Sequence, residues 1–246
     1  MITSIAIDRL YAYTLDTSVI SRHQLDAPQN VDEFTGPVGA VVSQIMTTND
    51  FIYALSDAGV FRRYNLSESW QPVSVPVGTT YLSSGDDYIY TLSAGAIWRQ
   101  DLEGGEFEKI AADPRVVVIT QIDHDEEFGY ALLSDGRIWL RKYPIGSWFE
   151  YRALSNVIQI VAGIDFIYAL NASGDVFRSK VFGHSGWEGL GRPGIRVVAI
   201  PSDHVDRLWY VDGDGLSSIS IFNWGKTSDN AWIDADWIDA DWILVA

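Results

Sequence analysis

Short apolar alternations recur along the whole chain, and none of them has helical spacing. Ile2-Thr-Ser-Ile5, Val42-Ser-Gln-Ile45, Thr79-Thr-Tyr-Leu82 and Val157-Ile-Gln-Ile160 open the first, second, third and fifth units. A second phrase follows each: Phe51-Ile-Tyr-Ala-Leu55, Tyr88-Ile-Tyr-Thr-Leu92, Phe128-Gly-Tyr-Ala-Leu132 and Phe166-Ile-Tyr-Ala-Leu170, with weaker copies at Tyr11-Ala-Tyr-Thr-Leu15 and Leu208-Trp-Tyr-Val-Asp212. Aligned on Tyr13, Tyr53, Tyr90, Tyr130, Tyr168 and Tyr210, the copies stand 40, 37, 40, 38 and 42 residues apart. A third phrase reads Gly59-Val-Phe-Arg62, Gly95-Ala-Ile-Trp-Arg99, Gly136-Arg-Ile-Trp-Leu140 and Gly174-Asp-Val-Phe-Arg178. A fourth centres on one aromatic: Trp70, Phe107, Trp148 and Trp187.

Each unit therefore reads as four strands; in the second unit they fall at 41–47, 51–56, 59–64 and 70–75. Glycine between the second and third strands supplies the positive φ of a tight hairpin. Four strands per repeat of about 40 residues, six times over, predict an all-β six-bladed β-propeller of four-stranded blades. A sandwich or barrel is the alternative, but it requires no six equal units. Blade one would run from Ile2–Ile7 to an outermost strand at Glu33–Val38. Blade six would use Arg196–Ile200, Arg207–Asp212 and Leu216–Phe222, so its fourth strand must come from beyond Trp224. The ring would then close by side-chain packing.

The motif of an aromatic, Tyr-Ala-Leu, a glycine turn, Phe/Trp-Arg and a downstream Trp resembles tectonin and tachylectin-type propeller repeats. The best copies are Phe51–Val75 and Phe166–Leu190, and the likeness covers residues 2–200. It shades into the regulator-of-chromosome-condensation class, whose repeats are longer. The resemblance implies a non-catalytic binding module, in many relatives a lectin.

Composition narrows the chemistry. The chain has 246 residues, no cysteine, ten Trp, twelve Tyr and ten Phe, and a net charge of −16. Thiolate zinc sites, disulfides and cysteine nucleophiles are excluded. The charge argues against unaided binding to nucleic acid or to anionic membranes. No apolar run approaches a membrane span, and the start lacks a basic leader. These features predict a cytoplasmic or virion- or particle-associated protein. No nucleophile elbow or phosphate-binding glycine loop occurs, so no enzyme and no cofactor are expected.

Candidate ligand residues for a lectin are Trp70, Trp148, Trp187 and His184, which couple aromatic platforms to polar neighbours. Packing within a blade accounts for the same tryptophans. The turns between first and second strands gather acid, including Asp50, Asp87, Glu127 and Asp165, on one face. There they could meet a cation, calcium at most, or a basic partner. Residues 1–226 form the propeller and 227–246 an acidic Trp-rich segment in which Trp-Ile-Asp-Ala-Asp recurs, with Trp232, Trp237 and Trp242 five apart. That segment reads as the last strand of blade six or as an arm for partner contact and self-association. The expected function is carbohydrate recognition, the alternative a structural or assembly subunit of a virion or extracellular particle. Partners are accordingly a carbohydrate or another protein subunit.

Overall fold

The computed structural model describes every residue except 1, 9, 26, 49, 65–68, 86, 123–127, 143–146, 164, 165, 181–185, 191–193, 200–206, 214, 215, 221–223, 227–231 and 235–246. Residues 27–29, 121, 122, 128, 142, 207, 219, 220, 224–226 and 232–234 are described by backbone alone.

Blade 1 comprises Ile2–Ile7, Tyr11–Asp16, Val19–Gln24 and Ala27–Thr35; blade 2, Val42–Thr47, Phe51–Ser56, Gly59–Tyr64 and Gln71–Val73. Blade 3 comprises Thr79–Ser84, Tyr88–Ser93, Ala96–Asp101 and Glu108–Ala112; blade 4, Val116–Ile122, Phe128–Leu133, Ile138–Lys142 and Phe149–Glu150. Blade 5 comprises Val157–Ala162, Phe166–Asn171, Val176–Lys180 and Glu188–Gly189, and blade 6 is described by Val197–Ala199, Arg207–Val211 and Leu216–Ser220. All neighbours within a blade run antiparallel. The first strands touch one another in sequence and that of blade 6 touches that of blade 1, so they line the axis of a closed six-bladed propeller. Among the described residues no helix is long and apolar enough to cross a membrane.

The second strands explain the recurrent phrase. Each is flanked by sheets on both sides, so successive residues are buried in opposite directions. Ile52 and Ala54 enter the core between blades 1 and 2, while Tyr53 and Leu55 enter the core between blades 2 and 3. Ile167 and Ala169 likewise face blade 4, and Tyr168 and Leu170 face blade 6. Six apolar clusters fill the six seams, the last joining Ile5, Ile7 and Ala12 to Ala199, Trp209, Val211 and Leu216. The ring thus closes by side-chain packing, as the sequence suggests.

Three expectations need correction in detail. The outermost strand of blade 1 is Ala27–Thr35, not Glu33–Val38. Pro37 and Gly39, the latter at φ 76, instead form the turn into blade 2, closed by the Ala40 N–H on the Pro37 carbonyl at 3.3 Å. The outermost strand of blade 2 is shorter than expected, Gln71–Val73, and runs into the corresponding turn at Pro76. In blade 6 it is Trp209, paired with Ala199, that takes the tyrosine position, while Tyr210 faces back into the core with blade 5. The last repeat spacing is therefore 41 residues, and the one-residue slip exchanges the two faces of the strand. Beyond blade 6, Trp224–Lys226 pairs with Trp232–Asp234.

A cleft between blades 2 and 3 as the candidate binding site

Blades diverge from the axis, so each seam is a wedge that must be filled at its outer end. Tryptophan from the fourth phrase does this in three seams. Trp70 packs into the core between blades 1 and 2 and its Nε1–H donates to the Thr35 carbonyl of the preceding blade at 3.0 Å. Trp187 packs between blades 4 and 5, edge-on to Tyr151, and donates to the Arg152 carbonyl at 3.1 Å. Trp148 packs between blades 3 and 4. All three are half-buried.

Between blades 2 and 3 the corresponding residue is Phe107. Phenylalanine is smaller and has no N–H for the Ser74 carbonyl, which stands where Thr35 stands in blade 1. A cleft of about 790 Å³ opens in that seam, within the range of ligand pockets. Pro72, Val75, Pro76 and Val77 line one wall; Trp98, Leu102 and Phe107 line the other. The Nε1–H of Trp98 is buried with no partner among the described residues. Gly104 and Gly105, both left-handed at φ 114 and 115, turn the chain at one end, where the Gln100 side chain donates to the Gly105 carbonyl.

Arg62 lies in this cleft and departs from a second repeated pattern. In blades 1, 3 and 5 the arginine of the third strand stacks on the aromatic that opens the second strand and pairs with an acid across from it on the fourth strand. Arg22 lies 4.1 Å from the Tyr11 ring centre and pairs with Asp32. Arg99 lies 4.5 Å from Tyr88 and pairs with Glu108. Arg178 lies 4.5 Å from Phe166 and pairs with Glu188 at 3.3 Å. Arg62 stacks on Phe51 at 4.7 Å and lies opposite Tyr53 on the neighbouring strand, but the residue across from it on the fourth strand is Gln71. Arg62 is exposed, whereas the side chains of Arg22, Arg99 and Arg178 are only 13%, 15% and 7% exposed. Burial raises the Tyr53 phenol above its ordinary value, while Arg62 lowers it. Blade 4 replaces the ionic pair by Leu140 and Phe149.

Asp50 and Asp87 are exposed at the turns between first and second strands of blades 2 and 3; Glu127 and Asp165, expected beside them, lie outside the described residues, as do His184, Trp237 and Trp242. Trp232 starts the strand Trp232–Asp234, of which the backbone alone is described. Among the described residues no three His, Asp or Glu side chains are grouped to hold a metal ion. One sequence signal could have found the cleft, the lone Phe in the series Trp70, Phe107, Trp148, Trp187; the strand register adds a second, Gln71 where blades 1, 3 and 5 place an acid.

No protein-family model matches the chain, and no curated protein matches its sequence. Solved structures match its fold. Human WBSCR16 is 13% identical at a TM-score of 0.59, over 92% of this chain and 77% of that one. Prp20p from Saccharomyces cerevisiae, described together with its binding to Gsp1p and histones, is 13% identical at a TM-score of 0.61, over 89% and 72%. YCF48 bound to D1 peptide is 14% identical at a TM-score of 0.58, over 89% and 76%. At such identities the likeness is one of fold, and the fold is the β-propeller.

Proposed function

We propose that the protein is a non-catalytic scaffold that binds a protein partner, with the cleft between blades 2 and 3 as the docking site. The observation that carries this is the double departure in that seam: the tryptophan wedge is reduced to Phe107, and Arg62 faces Gln71 rather than an acid. An apolar slot with one arginine suits an extended segment bearing an aromatic anchor and a carboxylate. Prp20p, with its binding to Gsp1p and histones, and YCF48, bound to D1 peptide, share this fold and take protein ligands, which favours this class of partner.

Carbohydrate, the ligand implied by the tectonin and tachylectin resemblance, is the weaker reading. A sugar platform needs an open aromatic face, and Trp70 and Trp187 are packed in seams with their N–H groups engaged. The full-length chain applied to peptide and glycan arrays separates the two. The expected result is binding of acidic, tryptophan-containing peptides that Arg62→Ala weakens. Coherent glycan binding, lost on Trp187→Ala and accompanied by no peptide binding, would overturn the proposal.

A further inference from the structure

We infer that the occupant of the cleft is the segment Trp237-Ile-Asp-Ala-Asp241 of a second copy of this chain, so that the propeller self-associates. The inference rests on the docking reading above and names its partner. The seam lacks two groups that other blades have, an indole in the outer wedge and a carboxylate on the third-strand arginine. The C-terminal segment carries both, as tryptophans spaced among aspartates. In an extended segment residues two apart project to the same side, roughly 7 Å from each other. Trp237 and Asp239 stand in that relation. The Trp237 ring fills the space beside Phe107, and its N–H donates to the Ser74 carbonyl, as Trp70 donates to Thr35. The Asp239 carboxylate takes the place on Arg62 that Asp32 takes on Arg22.

Among the described residues that line the cleft Arg62 is the one cation, and the carboxylates there, Asp101 and Glu106, add no second site for an acid. Asp101 already accepts the Glu103 N–H at 2.8 Å. A second copy is the source because Asp234 pairs opposite Trp224, four residues of chain after Ser220 of blade 6, and blades 1 and 2 intervene between blade 6 and the cleft. Trp237 lies only three residues further, a reach of about 11 Å.

The test is a fluorescence-polarisation titration of a labelled peptide of residues 234–246 against the full-length chain, with sedimentation velocity of the same chain over a range of concentrations. The peptide is expected to bind, and Arg62→Glu to weaken it about tenfold or more, as loss of a charge-assisted bond does. An Asp239→Lys peptide should recover binding on the Arg62→Glu chain. Gln71→Glu gives Arg62 an internal acid, as in blades 1, 3 and 5, and is expected to weaken the peptide while leaving the ring folded. The chain should associate with rising concentration, and Trp237→Ala should abolish this. Equal binding to the wild-type, Arg62→Glu and Gln71→Glu chains overturns the inference. So does a chain that stays monomeric throughout. If this peptide fails while acidic tryptophan peptides from the array bind in an Arg62-dependent way, the occupant is wrong and the docking reading stands. If neither binds, both fall.

Discussion

Gln44 of blade 2 closes both ends of its side-chain amide on Leu82 of blade 3: Nε2 donates to the Leu82 carbonyl at 2.8 Å and Oε1 accepts the Leu82 N–H at 3.0 Å. Gln159 of blade 5 does the same to Val198 of blade 6, at 2.8 and 3.1 Å. First strands of neighbouring blades turn their backbone groups toward each other without forming a ladder, and these amides satisfy them. Gln44→Leu is expected to destabilise the ring by about 1–3 kcal/mol, because a buried N–H and C=O lose their partners. Gln159→Leu should cost a similar amount, and the double variant the sum, since the two seams share no residue. Urea unfolding of the three variants checks this.

The tryptophan wedges make a reciprocal prediction. Trp70→Phe removes the bond to Thr35 and part of the ring volume, and should lower stability by about 1–3 kcal/mol. Phe107→Trp should raise it by about 0.5–1.5 kcal/mol by reaching the Ser74 carbonyl, and should close the cleft to ligands. Thermal melts of the pair, with peptide binding for Phe107→Trp, read both effects.

Two hairpin glycines should respond differently to alanine. Gly95 has φ +72, and a Cβ there would sit 2.4 Å from Pro114 Cα. Gly59 has φ +121, but a Cβ there meets nothing within 4 Å. Gly59→Ala carries only backbone strain of about 1–2 kcal/mol. Gly95→Ala adds a clash with backbone that links blades 3 and 4, and should cost more. Denaturation midpoints rank them.

The core tyrosines set an alkaline limit. Burial holds the phenols of Tyr13 and Tyr130 far above the ordinary value of 10.0 and pushes that of Tyr81 up to about 12. A raised pKa means that the folded state holds its proton more tightly than the unfolded one. Stability is therefore complete below pH 10 and falls as pH rises above it, by up to about 1.4 kcal/mol per pH unit for each such tyrosine. Melting temperatures between pH 8 and 12, followed alongside phenolate absorbance, should show the loss beginning near pH 10, with these phenols ionising as the ring unfolds.

The ring was legible because its cause is local. A second strand with blades on both sides buries every residue, so Ile52, Tyr53, Ala54 and Leu55 read as one apolar run that six units repeat. Blade 6 was legible only to within one residue, since Trp209 and Tyr210 are adjacent aromatics and only strand pairing tells which faces blade 1. The cleft was harder to see. Third and fourth strands are joined by loops of unequal length: the facing pair is Arg22 and Asp32 in blade 1 but Arg62 and Gln71 in blade 2, a separation of 10 and 9 residues. The missing acid can therefore be recognised only once the register is known. Trp70 and Trp187 have the composition of a sugar platform and the geometry of a wedge, and their bonds to Thr35 and Arg152 cannot be read from sequence.

The most direct measurement is photo-cross-linking from Val77, which lines the cleft and is 97% exposed. A photoreactive residue there, in a mixture of isotopically light and heavy full-length chains, reports by mass spectrometry what occupies the slot. The account predicts cross-links from Val77 of one copy to residues 235–246 of the other, lost in Arg62→Glu. Cross-links only within one chain, or to other parts of a second propeller, or unchanged in Arg62→Glu, would contradict it.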